Sequence, residues 1–145
     1  MSDMDGFYTM KGYQIHEDVN LTTAMEDYLE MICRILQDSE TVRVNDLAKM
    51  LHVKPSSVSK MVQQLHDQGY VHAEKYGIIR LTEKGASAGG YLLYRHDVIY
   101  RFLLALNQSA DELEQVEKIE HFLNRTTVEN LDRLTRRLLG ESKNL

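Results

Sequence analysis

Val44-Asn45-Asp46-Leu47-Ala48-Lys49-Met50-Leu51-His52-Val53-Lys54-Pro55-Ser56-Ser57-Val58-Ser59-Lys60-Met61-Val62-Gln63-Gln64-Leu65 reads as two helices joined by a short turn. In the first, Leu47, Ala48 and Leu51 form an apolar side, and His52-Val53-Lys54 turns the chain. Pro55, the only proline, sits well at a helix start, where its missing N–H would be unpaired anyway. In the second helix Val58, Met61, Val62 and Leu65 face inward, and Gly69 supplies a stop. Beyond Gly69 the pattern changes to Tyr70-Val71-His72-Ala73-Glu74 and Ile78-Ile79-Arg80-Leu81, two short strands around Lys75-Tyr76-Gly77. Helix, turn, helix and hairpin make a winged helix-turn-helix, so the fold class is mostly α with a small β-hairpin.

Working outward, Thr23 and Glu26 have the spacing of a capping box that opens an earlier helix. Met25, Tyr28, Leu29, Ile32, Ile35 and Leu36 form its stripe, leaving Asp27 and Glu30 off it. Downstream, Thr82-Glu83-Lys84-Gly85 leads into a long helix through Leu106, with Leu92, Leu93, Ile99, Phe102, Leu103 and Leu106 expected to be buried. Gly89 and Gly90 are its only weak formers. Ser109 with Glu112 and Thr126 with Glu129 mark two further helix starts.

The 145 residues, 43% hydrophobic, suffice for one core or two small ones sharing a long helix. No run approaches the roughly 18 apolar residues of a membrane span, and the first twenty residues lack a secretory pattern, so a cytoplasmic location is expected. Cys33 is the only cysteine; it excludes an intrachain disulfide or thiolate cluster and reads as a buried, inert thiol. His16, His52, His66 and His72 read as surface or packing residues. Net charge is -5, but Thr41 to Gly85 carries seven Lys/Arg against four acids, leaving -8 on the remainder. That split implies a basic face for an anionic partner and an acidic region with another task.

On the exposed side of the third helix, Ser56, Ser57, Ser59, Lys60, Gln63 and Gln64 can hydrogen-bond phosphates and base edges in a major groove, and none is acidic. Lys75, Tyr76 and Arg80 on the hairpin, with Arg43 and Lys54 beside the helices, add backbone contacts. An isolated helix with such a face would be read as merely solvated. The ordered series of elements in the most basic stretch favours DNA.

A second constellation is acidic. Glu117, Glu120 and His121 fall at i, i+3 and i+4, Asp27 and Glu30 are three apart, and His96 lies midway along the long helix. Taken singly, such acids more often serve a helix dipole or solvent. Should Asp27, Glu30, Glu117 and Glu120 meet, four carboxylates would repel one another and favour protonation unless a divalent cation neutralised them. Oxygen-rich ligands with one or two imidazoles and no thiolate suit manganese or iron(II).

Five segments together carry a family resemblance: Ala24 to Glu30, Pro55 to Gln63, Glu74-Lys75-Tyr76, Tyr94-Arg95-His96, and Glu117-Lys118-Ile119-Glu120-His121. In matching order from about Leu21 to about Leu139, the chain resembles the diphtheria toxin repressor family of metal-dependent transcriptional regulators, in its manganese-responsive branch. The resemblance implies that Asp27, Glu30, His96, Glu117, Glu120 and His121 hold two Mn2+ ions per subunit, with Glu117 and Glu120 bridging. It implies a homodimer on palindromic double-stranded operator DNA, repressing manganese uptake genes, with no membrane or organic substrate. The iron-responsive branch typically has methionine where this chain has Asp27, although Fe2+ suits the same donors. The family often has a second histidine where this chain has Phe122, a position assigned no ligand role. The expected division is an extension at 1–20, a winged helix-turn-helix DNA-binding domain at 21–84, and a helical metal-sensing and dimerisation domain at 85–145. Rival readings are an iron(II) sensor of the same family, a winged-helix sensor of an organic ligand, and a bimetallic hydrolase. The hydrolase lacks support from any HExxH motif, nucleophile elbow or phosphate loop.

Overall fold

The computed structural model describes residues 21–140, so the expected extension at 1–20 lies outside the described residues. Among the described residues, six α-helices and three short strands follow in order. They are α1 (Thr23–Asp38), β1 (Val42–Arg43), α2 (Val44–Leu51), α3 (Pro55–Asp67), β2 (Val71–Ala73), β3 (Ile78–Leu81), α4 (Glu83–Asn107), α5 (Leu113–Ile119) and α6 (Arg125–Leu138). Short 3-10 turns occupy Lys75–Gly77, at the wing tip, and Glu120–Phe122, after α5.

The hairpin is the outer part of a three-stranded antiparallel sheet ordered β1-β3-β2. β1, which periodicity could not reveal in two residues, pairs Val42 with Ile79 and Arg43 with Ile78. Pairing both edges of β3 in this way puts Val42, Val71 and Ile79 on one buried face. Against it pack Met25, Leu29 and Ile32 of α1, Leu47 and Ala48 of α2, Val58, Val62 and Leu65 of α3, and Leu92 of α4. Each large apolar side chain removed from water in this core contributes on the order of 1.5–3 kcal/mol.

Three expected caps differ in detail. α1 is capped by Thr22, whose hydroxyl accepts from Met25 N at 3.2 Å; Thr23 is already helical and Glu26 is free for another partner. α6 is capped by Asn124, which accepts from Thr127 N at 2.8 Å, in place of Thr126 with Glu129. Ser109 does reach Glu112, at 2.8 Å, but as a side-chain pair in the loop, since α5 begins only at Leu113. In α1 and α6 the earlier hydroxyl or amide satisfies a free N–H first, and the helix starts from there. Leu106 is 61% exposed in the last turn of α4, although it shares a helical face with Leu103, and Leu93 and Phe102 are only partly buried.

α4 crosses α1 at very short range. A Cβ on Gly89 would stand 2.0 Å from Cys33 Sγ, so only glycine permits the approach, and the thiol is buried as expected. Burial, reinforced by nearby Glu30, pushes the Cys33 thiol up to about 11, which keeps it protonated and unreactive. Gly85 is equally constrained, because its Cβ would meet the Tyr70 carbonyl at 1.9 Å. Thr82 ties the same corner by donating to the carbonyls of Gly69 and Tyr70 while accepting from Gly85 N. The start of α4 is thereby fastened to the wing, and its middle to α1.

Candidate metal centre

Where α1, α4 and the α5 end meet, all six expected ligand residues come together. Glu30, His96, Glu117 and Glu120 offer donor atoms within 4.8 Å of one another, and so do Asp27, Glu120 and His121. Glu120 belongs to both groups. Glu117 belongs to the first alone, so the geometry singles out Glu120 as the shared carboxylate, whereas the resemblance implied two. The turn that carries Glu120 and His121 is 3-10 rather than α-helical, and the tighter winding departs from the single helical face expected for Glu117, Glu120 and His121.

Burial and charge at this junction are at odds without a cation. Glu120 is fully buried and its Oε1 accepts no hydrogen bond. Glu30, expected off the stripe and hence outside, is buried as well. Its carboxyl is pushed up to about 7 by burial and by the neighbouring Glu120, against the pull of Arg34 and His96. Burial and Glu120 also raise Glu117. Two imidazoles supply the opposing charge. His96 Nδ1 lies 2.8 Å from Glu120 Oε2, 3.7 Å from Glu117 Oε1 and 3.8 Å from Glu30 Oε2, and its pKa is raised, first by the hydrogen bond to Glu120. His121 Nε2 lies 2.9 Å from Asp27 Oδ1 and Nδ1 lies 2.8 Å from Glu26 Oε1. Burial disfavours its charge, but the hydrogen bonds to Asp27 and Glu26 outweigh that and push it up to about 10. Protons thus sit where a divalent ion would relieve the same repulsion. A buried oxygen with no donor, four carboxylates, two imidazoles and no thiolate fit a hard divalent cation.

Two members of this junction escaped the sequence reading. Arg95 is 4% exposed and grips Glu26, with Nη2 3.2 Å from Oε1 and Nη1 3.4 Å from Oε2. Each adjoins an expected ligand in sequence, Asp27 and His96, and that adjacency was the only signal available.

Some thirty residues away along the chain, α3 presents the expected DNA-reading residues. Ser56, Ser57, Ser59, Lys60, Gln63 and Gln64 are all exposed, as are Arg43, Lys54, Lys75, Tyr76 and Arg80. Tyr76 is 87% exposed at the wing tip, on a left-handed backbone at φ 63°. Two of these groups are engaged within the protein. Gln63 donates to Asp67 at 2.9 Å, and Arg80 pairs with Glu74 at 2.8 Å, so a contact to phosphate or base would require each to give up an acid. His66 rests against the Val71 carbonyl and His52 closes α2 in the left-handed region, both structural roles.

Comparison with known proteins agrees with this layout. Residues 20–79 match the iron dependent repressor N-terminal DNA binding domain, and residues 82–139 match the iron dependent repressor metal binding and dimerisation domain. The HTH-type transcriptional regulator MntR of Geobacillus kaustophilus is 37% identical over 86% of this chain and 89% of its own length. That of Bacillus subtilis is 39% identical over 76% of this chain and 78% of its own. Among solved structures, the manganese regulator SloR superposes with a TM-score of 0.67 at 27% identity, covering 83% of this chain and 55% of that one. The metal-dependent transcriptional regulator MtsR does so with a TM-score of 0.70 at 28% identity, covering 79% and 54%. The chain therefore spans about half the length of these solved relatives, while matching most of the length of the MntR proteins. The family consists of repressors, which sets aside the bimetallic hydrolase. With a DNA-binding half, a metal-binding and dimerisation half, and relatives matched along most of their length, the chain belongs to the iron-dependent repressor family of metal-responsive transcriptional regulators, as a relative of its MntR members.

Proposed function

We propose that the protein is a manganese-responsive repressor whose homodimer binds palindromic operator DNA when Asp27, Glu30, His96, Glu117, Glu120 and His121 hold a pair of Mn2+ ions. The observation that carries this is Glu120, fully buried, common to both donor groups, with one oxygen left without a hydrogen bond. A bound divalent ion would supply the positive charge that the converging carboxylates lack. The protein's part is positional. Asp27 and Glu30 belong to α1 of the reading head, His96 to α4, and Glu117, Glu120 and His121 to α5 and its turn. Holding the three together orients the head against the helical half, and in a dimer it sets two heads at a separation suited to half-sites near one DNA turn, roughly 34 Å. Ser56, Ser57, Ser59, Lys60, Gln63 and Gln64 would then read one groove, with the wing on the flanking phosphates. The regulated genes, on this reading, govern manganese uptake.

The family's name supports a second metal, iron(II), which suits the same donors. Asp27 and the relationship to MntR and to the manganese regulator SloR favour manganese. Fluorescence anisotropy of operator-like duplex DNA, titrated at fixed salt with Mn2+, with Fe2+ and with chelator, tests the proposal. Tight binding only with Mn2+ is the expected result. Equal binding in chelator would overturn it, and preference for Fe2+ would reassign the metal.

A further inference from the structure

Arg95 and Glu26 lie against the metal-binding side chains without belonging to them, and the way they meet His121 is unusually constrained. Glu26 Oε1 is 2.8 Å from His121 Nδ1 and 3.2 Å from Arg95 Nη2, while Arg95 Nη2 is 3.3 Å from that same His121 nitrogen. Nδ1 cannot be a bare acceptor there, since its lone pair would face a carboxylate oxygen at 2.8 Å. It must carry a proton and donate it to Glu26. The other ring nitrogen, Nε2, then points at Asp27 Oδ1, 2.9 Å away, and at Glu120 Oε1, 3.8 Å away. Glu26, the neighbour of Asp27 in sequence, joins neither group of converging donor atoms. Arg95 holds it on the far side of the His121 ring by reaching both Glu26 oxygens with Nη1 and Nη2.

We infer that Arg95 and Glu26 are positioning residues of the metal centre: Glu26 fixes His121 with Nε2 toward the ion, and Arg95 holds Glu26 itself out of the coordination sphere. This rests on the metal reading above and adds to it a tautomer and an excluded carboxylate. A carboxylate behind a ligating imidazole both orients the ring and raises its basicity. Here the carboxylate comes from α1, the arginine from α4 and the histidine from the turn after α5, so the arrangement spans all three elements that the centre joins. Lysine cannot replace Arg95, because one ammonium lacks the fork that covers two oxygens.

The test uses the full chain. Free Mn2+ is followed by its electron paramagnetic resonance signal during titration of wild type, Glu26→Gln and Arg95→Lys, alongside the metal-free melting temperature of each. Glu26→Gln is expected to weaken Mn2+ binding about 10- to 100-fold, with Arg95→Lys weakened in the same direction. Unchanged affinity in a folded Glu26→Gln would overturn the inference and leave only a structural ion pair. Ring nitrogens are read independently in wild type by long-range proton–nitrogen NMR, metal-free and with diamagnetic Cd2+. A protonated Nδ1 in both, with Cd2+ on Nε2, is expected; Cd2+ on Nδ1 would overturn the inference whatever the variants do. If wild type takes up neither ion, the metal reading itself fails, and the metal-free spectrum still decides whether Nδ1 donates to Glu26.

Discussion

Beneath the reading head, thirteen buried side chains from Met25 to Leu92 close into one apolar core, whereas the corresponding cluster around α5 consists of Ile99, Leu103 and Val116. Polar ties do much of the work in the second region. Asp132 of α6 accepts from the Tyr94 hydroxyl at 2.6 Å, from Arg136 at 2.8 Å and from Arg101 at 3.3 Å, fastening α6 to α4. Leu106, Leu134, Leu138 and Leu139 stay exposed there, in the half that matches a dimerisation domain. The head is therefore held chiefly by apolar packing, while the helical half relies more on hydrogen bonds and ion pairs between its helices. A metal sensor needs one region of each kind.

The sharpest way to break this contrast is metal removal. If Mn2+ is present at about a thousandfold its dissociation constant, chelation should cost about 4 kcal/mol of stability. Hydrogen exchange should show the loss in α5 and the Glu120–Phe122 turn, with α3 and the sheet little changed; uniform loss would mean that the two regions are one cooperative unit. Next in size, Glu120→Ala should weaken Mn2+ binding roughly a hundredfold or more, beyond what loss of a supporting residue costs, because both donor groups share that residue. Calorimetric titration measures it, and the melting temperature should stop responding to Mn2+. Where α4 packs on α1, Gly89→Ala should destabilise by about 1–3 kcal/mol through overpacking against Cys33. Denaturant melts of Gly89→Ala with and without Cys33→Ala check the origin, since the second change should recover part of the loss.

A fourth outcome concerns pH. The metal-free pKa values of Glu30 and His121 are both raised, so the proton-bound forms favour the fold. For Glu30 that contribution is complete below its ordinary 4.5 and disappears as pH passes about 7. For His121 it is complete below 6.5 and disappears as pH approaches about 10. The metal-free melting temperature should fall across these windows while Mn2+ affinity rises, because the ion displaces the same protons. Melting curves and Mn2+ titrations between pH 6.5 and about 10 would show the opposed slopes. Smallest of the five, Lys60→Ala should weaken operator binding modestly and reduce the salt dependence by about one phosphate contact, with Mn2+ affinity unchanged.

The helix-turn-helix was legible because it repeats an apolar pattern over enough residues to be counted, with Pro55 and Gly69 marking its limits. The six ligand-type residues were legible as chemistry, but their meeting was not. Nothing in a helical period says that Glu30 of α1 turns toward Glu120, ninety residues on, and the family resemblance supplied that step. β1 has only Val42 and Arg43, and exists because β3 has a free edge to fill. Thr22 and Asn124 were missed as caps because neighbouring hydroxyls fit the same pattern one or two positions later. Arg95 and Glu26 were hidden for another reason: a buried ion pair between distant segments leaves no periodic trace in either.

α4 is one uninterrupted helix of 25 residues, pinned at its first turn to the wing and carrying His96 at its midpoint. At 1.5 Å per residue, the distance from that anchored end to His96 is about 20 Å, so a tilt of about 5° at the centre displaces the wing by about 2 Å. A shift among the carboxylates that tilted α4 would thus reach the wing enlarged by the length of a stiff lever, with no hinge needed within it.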